Sequence, residues 1–171
     1  MDPLQLQVAD LIFIRGTRWL DFPVKLVTQS QYTHVAGYVG EHQLIEAQSF
    51  RNTGYLPSAA YAGAADVFRY PRLTSSQAAR IVRFARHEVG SHYDYLLLGW
   101  EFFRLSLGIV LPYMKNKRRI CSTLWADAFT SAGIALCPTL RYPTPGDLTR
   151  SGLLRKVGSL EPKSISRGLY R

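Results

Sequence analysis

Residues 33 to 47 read Thr-His-Val-Ala-Gly-Tyr-Val-Gly-Glu-His-Gln-Leu-Ile-Glu-Ala. Successive side chains of a β-strand point to opposite faces of the sheet. Residues 33–40 therefore have two faces, one with His34, Ala36 and Tyr38 and the other with Val35, Gly37 and Val39. The turn-like segment 41–43 leads into a second apolar run at 44–47. The stretch predicts a β-hairpin that carries a histidine on one strand and Glu46 on the other.

The rest of the first half also reads as mostly β. Ala9 to Arg15 is a short apolar run of β-favouring residues that is closed by Gly16, as a buried strand would be. A further strand is predicted at Ala65 to Tyr70. Together with the hairpin, these runs predict a small sheet.

The second half changes to helical periodicity. Thr74-Ser75-Ser76-Gln77 is a capping box, and the apolar residues after it recur at three- and four-residue intervals, with Gly90 placed for a C-terminal cap. A second helix is predicted from Tyr95 to Leu107 and a third from Cys121 to Ala132. The residues of the third helix that we expect to face inward are Leu124, Trp125, Ala128 and Phe129.

The two cysteines have different surroundings. A thiol is a useful nucleophile only as thiolate, and a helix N-terminus favours that negative charge. Cys121 lies at a predicted helix start, directly after the basic segment Lys115 to Arg119, and is the candidate nucleophile; the alternative is a structural cysteine. Cys137 lies among apolar residues and reads as a packed side chain. The intervening helix separates the two thiols too far for an expected disulfide.

His34 and Glu46 admit two interpretations. Taken alone, His34 reads as a hydrogen-bonded core histidine and Glu46 as a surface carboxylate. A hairpin, however, sets the carboxylate beside the far nitrogen of the imidazole, which is the third role in a site built of nucleophile, base and orienting group. His42, at the turn, is a weaker candidate for that role.

Several motifs in order carry a family resemblance. They are Asp10-Leu11-Ile12-Phe13, Ser30-Gln31-Tyr32-Thr33-His34-Val35, Tyr38-Val39-Gly40, Leu44-Ile45-Glu46-Ala47, Tyr93-Asp94, Ile120-Cys121-Ser122 and Pro143-Thr144-Pro145-Gly146-Asp147-Leu148. Their order resembles that of the YiiX-like cysteine hydrolases. These are circularly permuted papain-like proteins related to NlpC-type peptidoglycan peptidases and to lecithin:retinol acyltransferase-like enzymes.

The resemblance implies an α+β fold in which a small antiparallel sheet or open barrel packs against helices and the nucleophile lies at a helix N-terminus. It also implies that Cys121 attacks a carbonyl, His34 is its base and Glu46 orients His34. The residues expected to contact the oxyanion or the substrate are Thr33, Tyr93 and Ser122, with packing as the alternative for Tyr93. The apolar stretch Tyr95 to Tyr113 departs from the family pattern and is expected to be a buried or interfacial helix that covers the cleft, lines a substrate channel or packs on the sheet.

The chain length and the net charge limit what else can be expected of the protein. We expect one catalytic domain over residues 1–148 and a basic tail over 149–171, either extended or docked on the domain. The formal net charge of +9 favours an anionic membrane or cell-wall surface as a partner, whereas no nucleic-acid-binding motif accompanies it. No metal-ligand spacing or phosphate-binding loop occurs, so no cofactor is expected. No signal peptide precedes residue 10, so a cytoplasmic location is expected, with export by another route or delivery by a phage left open.

Three functions follow from these expectations. The first is an amidase or endopeptidase that acts on peptidoglycan-type or modified peptides through a thioester on Cys121. The second is a lipid acyltransferase or esterase with the same triad, favoured by the apolar stretch and the basic surface. The third is a binding module that keeps the shape without turnover, against which the retention of all three polar residues counts.

Overall fold

The computed structural model of the chain describes residues 1–2, 5–16, 30–47, 52–91 and 121–161. Its elements, in chain order, are β1 Leu11–Arg15, β2 Tyr32–Gly40, β3 Gln43–Glu46, β4 Gly54–Pro57, β5 Ala65–Arg69, α1 Ser75–His87, α2 Cys121–Ser131, α3 Pro145–Thr149 and β6 Arg155–Leu160. The predicted helix at 95–107, the apolar stretch around it and the basic segment 115–119 lie outside the described residues.

The strands form one six-stranded antiparallel sheet in the order β4-β3-β2-β1-β5-β6. The predicted hairpin is confirmed, because β2 pairs with β3 from Gly37 opposite Ile45 to Gly40 opposite Gln43. The left-handed backbone at Gly40, Glu41 and His42, with φ of 91°, 53° and 56°, makes the tight reversal between the two strands. The α+β class is thereby established.

The alternation predicted for β2 is also confirmed. Val35 and Val39 belong to the larger hydrophobic cluster, which contains the inward side chains of α1 and α2. Ala36 and Tyr38 belong to a smaller cluster, which includes Leu44 of β3. Both faces of this central strand are thus covered.

The helices largely follow their sequence signals. The capping box at Thr74 and Gln77 is present, but α1 ends earlier than predicted: its C-cap is Glu88, and Gly90 adopts its left-handed conformation two residues further on. In α2 the four residues predicted to face inward are all fully buried, namely Leu124, Trp125, Ala128 and Phe129.

Trp125 of α2 packs directly on Gly37 of β2. A Cβ atom on Gly37 would lie 2.2 Å from Cη2 and Cζ2 of the indole, a separation that real Cβ atoms essentially never show. Because only a glycine leaves this space, the contact limits the distance between the helix that contains Cys121 and the strand that carries His34.

Two buried carboxylates tie the sheet together. Asp10 accepts two hydrogen bonds of 2.7 Å from Arg69, in the bidentate geometry that makes such pairs strong. Asp66 accepts hydrogen bonds from Arg15, Tyr32 and Ser159 and forms an ion pair with Lys156. The first residue of the motif Asp10-Leu11-Ile12-Phe13 therefore has a structural partner.

Part of the region that sequence analysis treated as a tail lies in the sheet. Strand β6, Arg155–Leu160, pairs with β5, from Ala65 opposite Leu160 to Arg69 opposite Arg155. The backbone of Met1 exchanges hydrogen bonds with the outer edge of β6, at Ser159 and Glu161. Among the described residues, no helix is long and apolar enough to cross a membrane.

Candidate active site

The site lies at the end of the sheet where β3 stops. His34 lies three residues before the first β2–β3 pair, Gly37 and Ile45, and Glu46 lies one residue after it on β3. Both side chains fall on the face of the smaller cluster, by alternation with Ala36 and Leu44. The Nε2 atom of His34 lies 2.8 Å from Oε2 of Glu46. The pair that the hairpin predicted is thus in hydrogen-bond contact.

A bulge aims the histidine. The register of β1 with β2 shifts so that Ile14 pairs with His34 and Arg15 with Tyr32, leaving Thr33 without a partner of its own in β1. Bulges of this kind re-aim the neighbouring side chains. The imidazole is 22% exposed, whereas the Glu46 side chain is 2% exposed, so the ring is the more accessible member of the pair.

Cys121 comes to the same place from the other side of the sheet. It lies in α2, it is buried, and it belongs to the larger cluster. The side chain of His34 and the backbone N–H groups of Val35 and Ser122 lie close enough to its sulfur to favour a negative charge there. Because Nε2 of His34 faces Glu46, Nδ1 is the ring nitrogen that remains for the thiol.

The electrostatics of the pair favour charge separation. Burial raises the pKa of the Cys121 thiol, but the charge and hydrogen bond of His34, together with the two backbone donors, outweigh burial and lower that pKa. Burial alone would lower the pKa of His34, since it disfavours the charged imidazolium. The Cys121 thiolate and the Glu46 carboxylate outweigh burial and raise that pKa well above its ordinary value. The arrangement can therefore hold a thiolate beside an imidazolium.

The other residues expected at the site differ in placement. Ser122 is fully buried, and its Oγ has no hydrogen-bond partner among the described residues. Its backbone N–H, not its hydroxyl, is the group that lowers the pKa of Cys121. Thr33 is half-buried and directly precedes His34 in the sequence. Tyr93 lies outside the described residues.

Cys137 provides a contrast within the same chain. It is a free thiol that packs, partly buried, against the larger cluster, as its apolar neighbours predicted. Burial and the charge of Asp147 raise its pKa, with Arg150 acting in the opposite sense. The two thiols are therefore shifted in opposite directions by their surroundings.

Sequence reasoning missed one member of the site. Tyr61, in the turns between β4 and β5, donates its hydroxyl to Oε2 of Glu46, the same oxygen that contacts His34. A tyrosine within the segment Ala59-Ala60-Tyr61-Ala62-Gly63 carries no signal of its own, because its partner lies 15 residues away on another strand.

The segment at Pro143 to Leu148 supports the strand that carries His34. It forms α3, capped by Thr144 and Asp147 in a capping box. Gly146 packs so closely on Ser30 that a Cβ there would lie 2.6 Å from the Ser30 Cβ. Two of the motifs that carried the family resemblance therefore touch each other at the entrance to β2.

The fold and site together define an α+β protein in which one six-stranded antiparallel sheet carries a paired histidine and glutamate, with a helix that contains a cysteine packed against the sheet. The solved structure of the metalloprotein YiiX from Escherichia coli O157:H7 is similar to it, with a TM-score of 0.69 over 92% of this chain and 99% of that one. Sequence identity over the match is 16%, so the likeness is one of fold. No family model matches the chain. No curated protein matches it in sequence.

The name of that structure assigns it a metal, which the described residues of this chain do not fit. Among them, no three side chains of His, Cys, Asp or Glu converge on a point that could hold an ion. The imidazole Nε2 is instead occupied by the Glu46 carboxylate. We therefore derive no step through a metal ion.

Proposed function

We propose that the protein is a papain-like cysteine hydrolase of circularly permuted order, in which Cys121 is the nucleophile, His34 the base and Glu46 the group that orients His34. The observation that carries the proposal is the position of the His34 imidazole, which lies 2.8 Å from the Glu46 carboxylate and close enough to the Cys121 sulfur for the two groups to shift each other's pKa. Nucleophile, base and orienting group within hydrogen-bond reach of one another are the signature of covalent catalysis.

In this mechanism the Cys121 thiolate attacks the carbonyl carbon, forming the carbon–sulfur bond while the carbonyl π pair moves to oxygen. The oxyanion is met by backbone N–H groups at the start of α2, where each such donor contributes about 3 kcal/mol. As the tetrahedral intermediate collapses, the His34 imidazolium gives its proton to the leaving group. His34 then takes a proton from water, whose oxygen attacks the thioester and releases the acid and the thiolate.

The surroundings of the triad support this division of roles. The buried Glu46 carboxylate stabilises the imidazolium and fixes the tautomer, so that Nδ1 faces the sulfur. The helix N-terminus and the two backbone donors stabilise the thiolate. A merely structural cysteine has no need of either arrangement.

The substrate we propose is an amide in a peptidoglycan-type or modified peptide. A lipid ester or acyl transfer uses the same chemistry, and the net charge of +9 would draw the protein to an anionic membrane. A partner surface of cell-wall polymer fits the same charge. The two substrates differ in the acyl group that is left on Cys121, which makes them separable by mass.

The test is to incubate the protein with muropeptides and, separately, with phosphatidylglycerol vesicles, and to follow both the intact mass and the products. We expect an acyl adduct, or released product, that survives Cys137→Ala and is abolished by Cys121→Ala. Muropeptide cleavage supports the amidase, and a fatty acyl adduct supports the lipid enzyme. If neither substrate gives product or adduct, a binding module replaces the enzyme.

A further inference from the structure

The Glu46 carboxylate has a second donor besides the imidazole. The Tyr61 hydroxyl donates to Oε2 over 2.5 Å, and the same oxygen lies 2.8 Å from Nε2 of His34. The Tyr61 and His34 rings meet edge to face with centroids 6.2 Å apart. Because Glu46 is 1% exposed, these two donors stand in for the water that would otherwise surround Oε2.

The loop that carries Tyr61 is fastened at both ends. At its start, the Ser58 N–H donates to the His42 carbonyl over 2.7 Å, and near its end the Gly63 N–H donates to the Leu160 carbonyl over 2.7 Å. The Tyr61 ring packs against the smaller hydrophobic cluster. The hydroxyl is therefore delivered to Glu46 from a fixed direction.

The other carboxylate oxygen of Glu46, Oε1, has no comparable hydrogen bonds. Oε1 of Glu46 is buried and has no hydrogen-bond partner among the described residues. A carboxylate oxygen accepts two hydrogen bonds readily, so Oε2 takes both donors while Oε1 takes none. The orientation of the group thus depends on what binds Oε2.

We propose that Tyr61 is a positioning residue of the catalytic site, which holds the Glu46 carboxylate in the orientation that faces Nε2 of His34. This inference rests on the proposed function. Without the phenol, the buried carboxylate can rotate away from Nε2 and no longer stabilises the imidazolium. The Cys121 thiolate would then lose the cation that stabilises it.

The experiment compares the rate of Cys121 alkylation by iodoacetamide across pH in Tyr61→Phe and in the parent chain, both on a Cys137→Ala background. The Phe variant keeps the ring and its packing and removes only the donor. We expect alkylation at about pH 6 to slow by about fivefold or more, with the rates converging in alkaline solution, where any thiol is ionised. The pH titration of the His34 ring protons, followed by NMR, is expected to move to lower pH in the same variant.

Tyr32→Phe is the matched control. It removes a hydroxyl that donates to another buried carboxylate, Asp66, over 2.7 Å, so it should lower stability by a similar amount while leaving the pH profile of Cys121 unchanged. Identical profiles for Tyr61→Phe and the parent chain would overturn the role of Tyr61 and leave the triad intact. Equal shifts in both Phe variants would also overturn it. A parent profile like that of an ordinary thiol would overturn the proposed function and the role of Tyr61 together.

Discussion

Glu46 Oε2 lies 2.8 Å from Nε2 of His34, although the two residues lie on different strands and twelve positions apart. The contact is made because both side chains fall on one face of a hairpin at the end where β3 stops. It leaves Nδ1 of the imidazole for the sulfur of Cys121.

The first prediction concerns the two free thiols. The pKa of Cys121 is lowered by His34 and by backbone donors, whereas that of Cys137 is raised by burial and Asp147. In a pH series of iodoacetamide labelling, read by peptide mass spectrometry, Cys121 should react at least about ten times faster than Cys137 at about pH 6. Since Cys121 is buried and Cys137 is partly buried, each rate is compared with the same thiol's rate at about pH 9.

His34→Ala should remove this advantage, because it removes the cation beside the sulfur. The labelling profile of Cys121 should then move toward alkaline pH, while that of Cys137 stays in place. An exposed histidine provides the control: the His87 side chain is 86% exposed, so His87→Ala should change neither profile. A Cys121 profile that is indifferent to His34 would contradict the proposed ion pair.

The second prediction concerns the charge of Glu46. Glu46→Gln keeps the shape of the side chain but removes the negative charge that favours the imidazolium. We expect turnover to fall by at least about a hundredfold, because the histidine then lacks both its charge partner and its fixed tautomer. Labelling of Cys121 at about pH 6 should slow for the same reason. Glu41→Gln serves as the control, because it removes the same negative charge at a side chain that is 79% exposed. Full activity in Glu46→Gln would assign Glu46 a purely structural role.

Local patterns explain how much of this was predictable. The alternation of residues 33–40 and the short turn after them define a hairpin within fifteen residues, so His34 and Glu46 could be placed together from sequence. The helix after Thr74 and the inward face of α2 are equally local signals. α3 carries a readable signal too, the capping box of Thr144 and Asp147, which sequence analysis used only as part of a family motif.

What sequence analysis missed depends on distant partners. Strand β6 begins with two basic residues and contains a glycine, and it becomes a strand only because β5 offers a free edge. Asp66 lies inside an apolar run, and its partners Arg15 and Ser159 are 51 and 93 positions away. Tyr61 reaches Glu46 from a turn. Such contacts are set by the order of strands in the sheet, which no local pattern encodes.

The third prediction uses the contact between α2 and the sheet. Gly37→Ala would place a Cβ atom 2.2 Å from the Trp125 indole, which is fully buried and has no room to move away. We expect a loss of about 2 kcal/mol in the free energy of unfolding, measured by chemical denaturation, and a larger fall in turnover because Cys121 shifts with the helix. Gly54→Ala is the matched strand control, since its nearest heavy atom is 3.7 Å away. Equal stability of the two variants would argue against the tight packing.

The fourth prediction concerns Asp66, which is 1% exposed and joins β1, β2, β5 and β6 through its partners. Burial alone would raise its pKa, but hydrogen bonds from Ser159, Tyr32, Lys156 and Arg15 more than offset burial and lower the pKa to about 2. A carboxylate whose folded pKa lies below its unfolded value stabilises the protein above the unfolded pKa. That contribution, about 2 kcal/mol, is lost as the pH falls from the unfolded value near 4 through the folded one near 2.

Asp66→Asn should therefore lower the free energy of unfolding by about 2 kcal/mol at neutral pH, because Arg15 and Lys156 lose their charge partner. Below about pH 4 the difference from the parent chain should shrink, because the unfolded chain then takes up a proton on this carboxyl while the folded chain keeps it charged until the pH nears 2. Urea denaturation at a series of pH values measures both effects, and Glu41→Gln reports the behaviour of an exposed acid. A difference that stays constant from neutral to acid pH would mean that Asp66 acts through its shape and neutral hydrogen bonds, and that the charge of this network does not hold β6 on the sheet.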